Sequence, residues 1–165
     1  MDNMWAPWRM EYVASQGNDK KLCVFCESPK NQNDKENHIV YRGKHCYAIL
    51  NKFPYNNGHV MVLPYQHLSD LLELPEETHQ ECQQLIKKTI QALRKVFNPP
   101  GINIGLNMGS AAGAGIAEHI HYHILPRWEG DTNFMPVIAG VKVISESLDA
   151  TYLKLKEAFK ETDNL

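Results

Sequence analysis

Residues 118–126 read Glu-His-Ile-His-Tyr-His-Ile-Leu-Pro, an alternation of imidazole and apolar side chains that an extended chain sorts onto two faces. On a strand, His119, His121 and His123 share one face, and Ile120, Tyr122 and Ile124 share the other. Same-face neighbours lie about 7 Å apart and the outer pair about 13 Å, so two adjacent imidazoles can share one metal ion but three cannot. With eight histidines in 165 residues, a His-x-His-x-His arises by chance at a rate on the order of 2%, and the pattern asks for a cause. Three readings stand at this level. The histidines carry no chemistry; or two of them hold a metal with a ligand from elsewhere; or they work on phosphorus. In the last case a neutral imidazole attacks a phosphate while its other nitrogen donates to a backbone carbonyl, and the flanking imidazoles hold phosphate or leaving-group oxygens.

Composition sets the surroundings. The chain is 43% hydrophobic and 22% charged with a net charge of −2, the balance of one ordinary globular domain. Its length supports a core without disulfide staples. Charge this close to zero gives no footprint for nucleic acid or an anionic membrane, so neither is an expected partner. No apolar run reaches the length of a membrane span, and Met1 to Arg9 lack a secretory apolar stretch. We therefore expect a cytoplasmic protein. In a reducing compartment Cys23, Cys26, Cys46 and Cys82 suit metal binding or plain burial better than disulfides.

Along the chain, the polar tract Ser28 to Asn37 reads as an exposed, mobile loop. Short strands follow at Ile39 to Tyr41, Cys46 to Asn51 and Gly58 to Pro64, the last two joined by a turn and so antiparallel. From Pro75 to Phe97, apolar Cys82, Leu85, Ile86, Ile90, Leu93 and Phe97 recur at three- and four-residue steps and predict a helix. Glu76 and Glu77 suit its start, and Asn98-Pro99-Pro100-Gly101 ends it. Strands are predicted at Ile102 to Met108 and Glu118 to Pro126, with the small-residue loop Gly109 to Gly115 between them. A final helix begins near Asp149, with Leu148, Tyr152, Leu155 and Phe159 as its buried stripe. Antiparallel strands with two helices make an α+β fold.

The histidine segment resembles the signature of the histidine triad (HIT) family, nucleotide hydrolases and transferases that pass through a nucleotidyl-histidine intermediate. Leu50 to Pro64, Asn107-Met108-Gly109 and the small loop that follows are similar to the family's nucleoside-binding strands and phosphate approach. The resemblance covers roughly residues 39 to 128 and implies an antiparallel sheet with two helices. It implies that His121 is the nucleophile, that His123 contacts the phosphate and that His119 buttresses the site. By the same resemblance Asn51 meets the ribose hydroxyls, Asn107 lies near the phosphates, and His59 sits behind the triad. Taken as residues alone, Asn51 and Asn107 are equally turn or strand-end side chains, and His59 a satisfied core histidine. We read residues 1–165 as a single HIT domain, with an extension over 1–37, a core over 38–128 and a C-terminal loop and helix over 129–165.

One departure stands out. Where many relatives carry Gly-Gln followed by a hydroxyl residue, this chain has Ala114-Gly115-Ile116-Ala117, and Ile116 cannot donate a hydrogen bond. Backbone N–H groups of Gly113, Ala114 and Gly115, or Ser110, are left to serve the leaving group. Trp5-Ala6-Pro7-Trp8-Arg9 and Pro126 to Pro136 resemble bacterial HIT proteins of the diadenosine tetraphosphate phosphorylase type. On residue type alone Trp128 and Phe134 are core aromatics, and Arg127 a surface cation or phosphate partner. Cys23-Val24-Phe25-Cys26 supplies half a tetrahedral zinc site, or else a buried pair. The resemblance to zinc-bearing relatives implies His67 and His119 as the other half, making zinc a structural cofactor. It further implies a homodimer and a nucleotide substrate such as a diadenosine polyphosphate, with AMP passed to phosphate or water. A nucleotide-binding regulatory protein with little turnover and a zinc-organised interaction module are the rival readings.

Overall fold

A computed structural model describes residues 22–139, 141 and 143–162, so Trp5 to Arg9 lie outside the described residues. Five strands, β1 (Ile39–Arg42), β2 (Cys46–Leu50), β3 (Val60–Pro64), β4 (Gly101–Leu106) and β5 (Tyr122–Arg127), form one antiparallel sheet in the order β1-β2-β3-β5-β4. Strands β2 and β3 pair from Cys46↔Pro64 to Leu50↔Val60, the hairpin expected from their joining turn. Two long helices, α3 (Glu76–Phe97) and α5 (Leu148–Thr162), pack on one face. Short helical turns complete the chain: α1 (Val24–Glu27), α2 (Asp34–Asn37) and α4 (Met135–Ala139). None of the described helices is long and apolar enough to cross a membrane.

Period-two alternation splits the apolar residues between the two faces. Cys46, Ala48, Leu50, Val60, Val62, Tyr122 and Ile124 meet Cys82, Leu85, Ile86 and Leu93 of α3 and Tyr152, Leu155 and Phe159 of α5. On the opposite face Ile39, Tyr47, Ile49, Met61 and Leu63 enclose Phe25 of α1 in a second, smaller cluster. Helix α3 starts on Pro75 with Glu76 and Glu77 in its first turn, and ends on Asn98 in the left-handed conformation (φ 43°). Cys46 and Cys82 are fully buried in the larger cluster, without a disulfide.

Three expectations are corrected. The tract from Ser28 to Asn37 is not loop throughout, because Asp34–Asn37 forms the helical turn α2. Arg42 donates to Asp34 Oδ1 (2.8 Å), Pro29 O (2.9 Å) and Asn31 O (3.2 Å), and Lys156 reaches Asp34 Oδ2 (2.9 Å). Two half-buried cations thus tie a polar sequence back onto β1 and α5. The histidine strand begins at Tyr122, not Glu118; before it, Ile120 N–H donates to Leu68 O (2.7 Å) outside the sheet ladder. Phe134, read as a core aromatic, is 66% exposed at the start of the α4 segment.

Gly58 joins the fold to the histidines. It has a φ of +72°, and a Cβ there would stand 2.9 Å from Phe97 Cε2 and 3.1 Å from Pro126 Cγ. Backbone strain and overpacking both oppose a side chain immediately before His59. Gly58→Ala should lower stability by about 1–2 kcal/mol, seen in urea as a lower midpoint with an unchanged slope. An unchanged midpoint would refute this account of the turn.

Candidate active site and metal centre

Backbone groups fix the proton on each buried imidazole. His121 is 4% exposed, and its Nδ1 lies 2.7 Å from the carbonyl oxygen of His119. A carbonyl only accepts, so Nδ1 carries the hydrogen and Nε2 presents a lone pair. Burial lowers the His121 pKa and keeps the ring neutral. His119 is wired in the opposite sense. Its Nε2 donates to Pro64 O (3.0 Å), leaving Nδ1 as the acceptor, and burial holds its pKa down to about 4.

A third chain of bonds runs through His59. Tyr55 N–H donates to His59 Nδ1 (3.1 Å), so His59 Nε2 donates to His123 Nδ1 (2.9 Å). Burial, then the neighbouring His123 and His121, holds His59 down to about 3. A neutral His123 that accepts at Nδ1 carries its proton on Nε2. The rings of His121 and His123 stand 4.8 Å apart, edge to face. One therefore presents a lone pair and its neighbour an N–H donor.

His119 turns its acceptor nitrogen towards the Cys-x-x-Cys turn. Cys23 Sγ and Cys26 Sγ are each 3.5 Å from His119 Nδ1, and Cys26 Sγ is 3.3 Å from His67 Nδ1. The four ligand atoms lie within 4.8 Å of one another. Edges of a tetrahedral N2S2 zinc site with the usual bond lengths are about 3.5 Å, so these residues fit a closed four-ligand centre. The Cys26 thiol is pushed up to about 11 by burial and by Cys23 beside it; a cation is what would hold both as thiolates. The turn itself closes locally, Cys26 N–H donating to Cys23 O (2.9 Å).

The remaining sequence-derived residues are placed unevenly. Asn51, directly after β2, has its Nδ2 3.3 Å from His59 Nδ1 and accepts from Phe53 N–H at Oδ1 (2.9 Å), so its amide is anchored beside the histidine relay. Asn107 follows β4, and its Nδ2 lies 3.9 Å from where a Gly113 side chain would begin. Gly113 N–H donates to Ser110 O (2.9 Å) and Ala114 N–H to Gly109 O (3.3 Å). The expected cradle of open N–H groups is corrected at those two positions, Gly113 closing the 3-10 turn and Ala114 reaching back five residues to Gly109. Ile116 packs with Cys23 and Tyr65 against the Phe25 cluster, which accounts for an apolar side chain there. Arg127 is a surface cation paired with Asp131 through two bonds (2.7 and 2.9 Å). Trp128 lies half-buried, edge-on to Phe97 at 6.4 Å.

Sequence reasoning missed Tyr55 and Phe25. Tyr55 covers the relay, with ring centroids 4.6 Å from His59 and 5.6 Å from His123. Phe25 lies 5.5 Å from His119 and 5.0 Å from His121. Apart from Tyr55 on His59, four residues away, these contacts join residues distant in the chain, and no spacing in the sequence announces them.

Known proteins share this sequence family and fold. A family model described as the HIT domain matches residues 32–130. The AP-4-A phosphorylase of Mycobacterium tuberculosis is 40% identical over 158 residues, spanning 92% of this chain and 80% of that protein. A histidine triad nucleotide-binding protein of Sulfolobus tokodaii superimposes with a TM-score of 0.70 at 27% identity, covering 86% of this chain and 94% of the other. A Zn-bound histidine triad family protein of Mycobacterium smegmatis gives 0.68 at 26% identity, covering 86% and 96%. With its five-stranded sheet, its three wired histidines and a family match over more than half its length, the chain belongs to the HIT family.

Proposed function

We propose that the protein transfers AMP from a dinucleoside polyphosphate, through a nucleotidyl intermediate on His121, to orthophosphate or water. The observation that carries this reading is the 2.7 Å bond from His121 Nδ1 to the His119 carbonyl, which makes Nε2 the attacking atom. Nε2 forms a bond to the α-phosphorus, and the bond from that phosphorus to the bridging oxygen breaks, releasing the rest of the substrate. The adduct is an imidazolium whose Nδ1–H stays on the carbonyl. Burial that keeps the free ring neutral also disfavours this cation, so the P–N bond is poised for the acceptor. His123 Nε2–H is the donor for a phosphoryl oxygen. Asn51 serves the ribose and Asn107 the phosphates, and the small side chains at Gly113, Ala114 and Gly115 let a polyphosphate approach closely.

Cys23, Cys26, His67 and His119 would hold zinc. Bound there, it supplies no open coordination position and so a structural, charge-neutralising role. In this reading the centre ties α1 and the loop after β3 to the residue two before His121. The name of the Mycobacterium tuberculosis relative favours phosphate as acceptor, and we extend the proposal to a cytoplasmic homodimer. Ile116, apolar and packed inward, favours the one rival worth keeping, a nucleotide-binding regulator with little turnover.

Product analysis on diadenosine tetraphosphate tests the reading. Phosphate-dependent ADP together with ATP is expected, and His121→Ala should lose at least ~10³-fold in turnover while still binding nucleotide. AMP formed indifferently to phosphate would make the protein a hydrolase, and nucleotide binding without turnover in the wild type would make it the regulator. For the metal, one zinc per chain is expected, with Cys23→Ser lowering Tm by more than ~5 °C. Absence of stoichiometric zinc, or an unchanged Tm and activity in Cys23→Ser, would contradict the structural centre.

A further inference from the structure

The sheet does not hold the nucleophile. The last pair of the β3–β5 ladder is Val62↔Tyr122, so the backbone of His121 lies just outside it. His121 keeps one hydrogen bond, to a carbonyl two residues back in its own chain. A ring tied at a single nitrogen can still pivot about that bond, and aiming Nε2 requires a second contact across its face. His123 meets one part of the ring edge-on at 4.8 Å, and the Phe25 ring supplies a further contact at 5.0 Å and an interplanar angle of 51°.

Phe25 is itself firmly placed. It is 5% exposed and lies between the two cysteines of the metal turn. Its carbonyl accepts a 2.6 Å hydrogen bond from the hydroxyl of Tyr47, a fully buried residue of β2 stacked on Tyr65 at 5.1 Å. A buried bond from the sheet holds the Phe25 backbone, metal ligation at Cys23 and Cys26 would hold the turn around it, and the Phe25 ring lies against His121.

We propose that Phe25 is a positioning residue for His121, and that the Cys-x-x-Cys turn acts on the nucleophile through this ring. The inference rests on the reading of His121 as nucleophile. It differs from a purely stabilising metal turn, which would affect melting without altering the chemical step. It also means that loosening the turn and removing the ring are one defect.

The zinc-loaded protein tests this. Phe25→Leu keeps an apolar group of similar volume and removes the flat face. It should retain its metal, leave KM within about twofold, and lower kcat by about tenfold, the scale of a small misalignment at a reacting centre. Ring NMR should show the Nδ1–H tautomer of His121 in both proteins, held by the His119 carbonyl, with the His121 ring resonances shifted and broadened in the variant as the ring pivots. Combined with Cys23→Ser, Phe25→Leu should add little to the loss of kcat, because two changes acting through one contact are not additive. Multiplying losses, or an unchanged kcat and His121 spectrum in Phe25→Leu, would overturn the proposal. Phe25→Met serves the same comparison if Phe25→Leu does not fold. Should the chain prove inactive on dinucleoside polyphosphates, the proposed function fails, and the NMR arm alone still decides whether Phe25 positions His121.

Discussion

The carbonyl of His119 accepts a hydrogen from the ring of His121 at 2.7 Å, and the rest of the site is arranged around that bond. An imidazole in water interconverts its tautomers and protonates near neutrality. Here one backbone oxygen selects the tautomer and burial lowers the pKa, disfavouring the charged ring. The carbonyl can play this part only if residues 119–121 are held in place just before β5. Ile120 N–H to Leu68 O and His119 Nε2–H to Pro64 O provide that on either side. The same bond at Pro64 leaves His119 Nδ1 facing the cysteines, so one histidine belongs to both the segment that leads into β5 and the proposed metal centre.

Two networks therefore converge on a short piece of chain that the sheet ladder does not include. From one side come Cys23, Cys26 and His67 with His119; from the other, Tyr55, His59 and His123. Each is anchored by local backbone: a single helical turn at α1, and the Asn51-to-His59 turn that Gly58 permits. The larger core between the sheet and helices α3 and α5 lies on the opposite face and sets the platform. Chemistry and stability are thus carried largely by different residues, with the smaller Phe25 cluster linking them.

Much of this was legible in the sequence where a period or a motif carries the information. Alternation separated His123 from Tyr122 and Ile124, and the three- and four-residue steps located α3 and the buried stripe of α5. The ligand set Cys23, Cys26, His67 and His119 followed from resemblance, and the chain brings those four atoms together. What escaped depends on distant partners. A polar tract at 28–37 reads as plain loop until Arg42 and Lys156 are seen pairing with Asp34. The loop at Gly113 looks open until its N–H groups are seen closing their own turn. The face that Phe25 shows to His121 joins residues almost a hundred positions apart, beyond any local pattern.

The central claim is that Nε2 of His121 forms a bond to phosphorus. Rapid quenching during turnover of diadenosine tetraphosphate, followed by intact-mass and peptide analysis, tests it directly. The account predicts a transient gain of one AMP, labile in acid and mapped to His121, that appears and decays at rates consistent with kcat. A wild-type enzyme that turns over substrate with no adduct, or with the adduct on another residue, would contradict it.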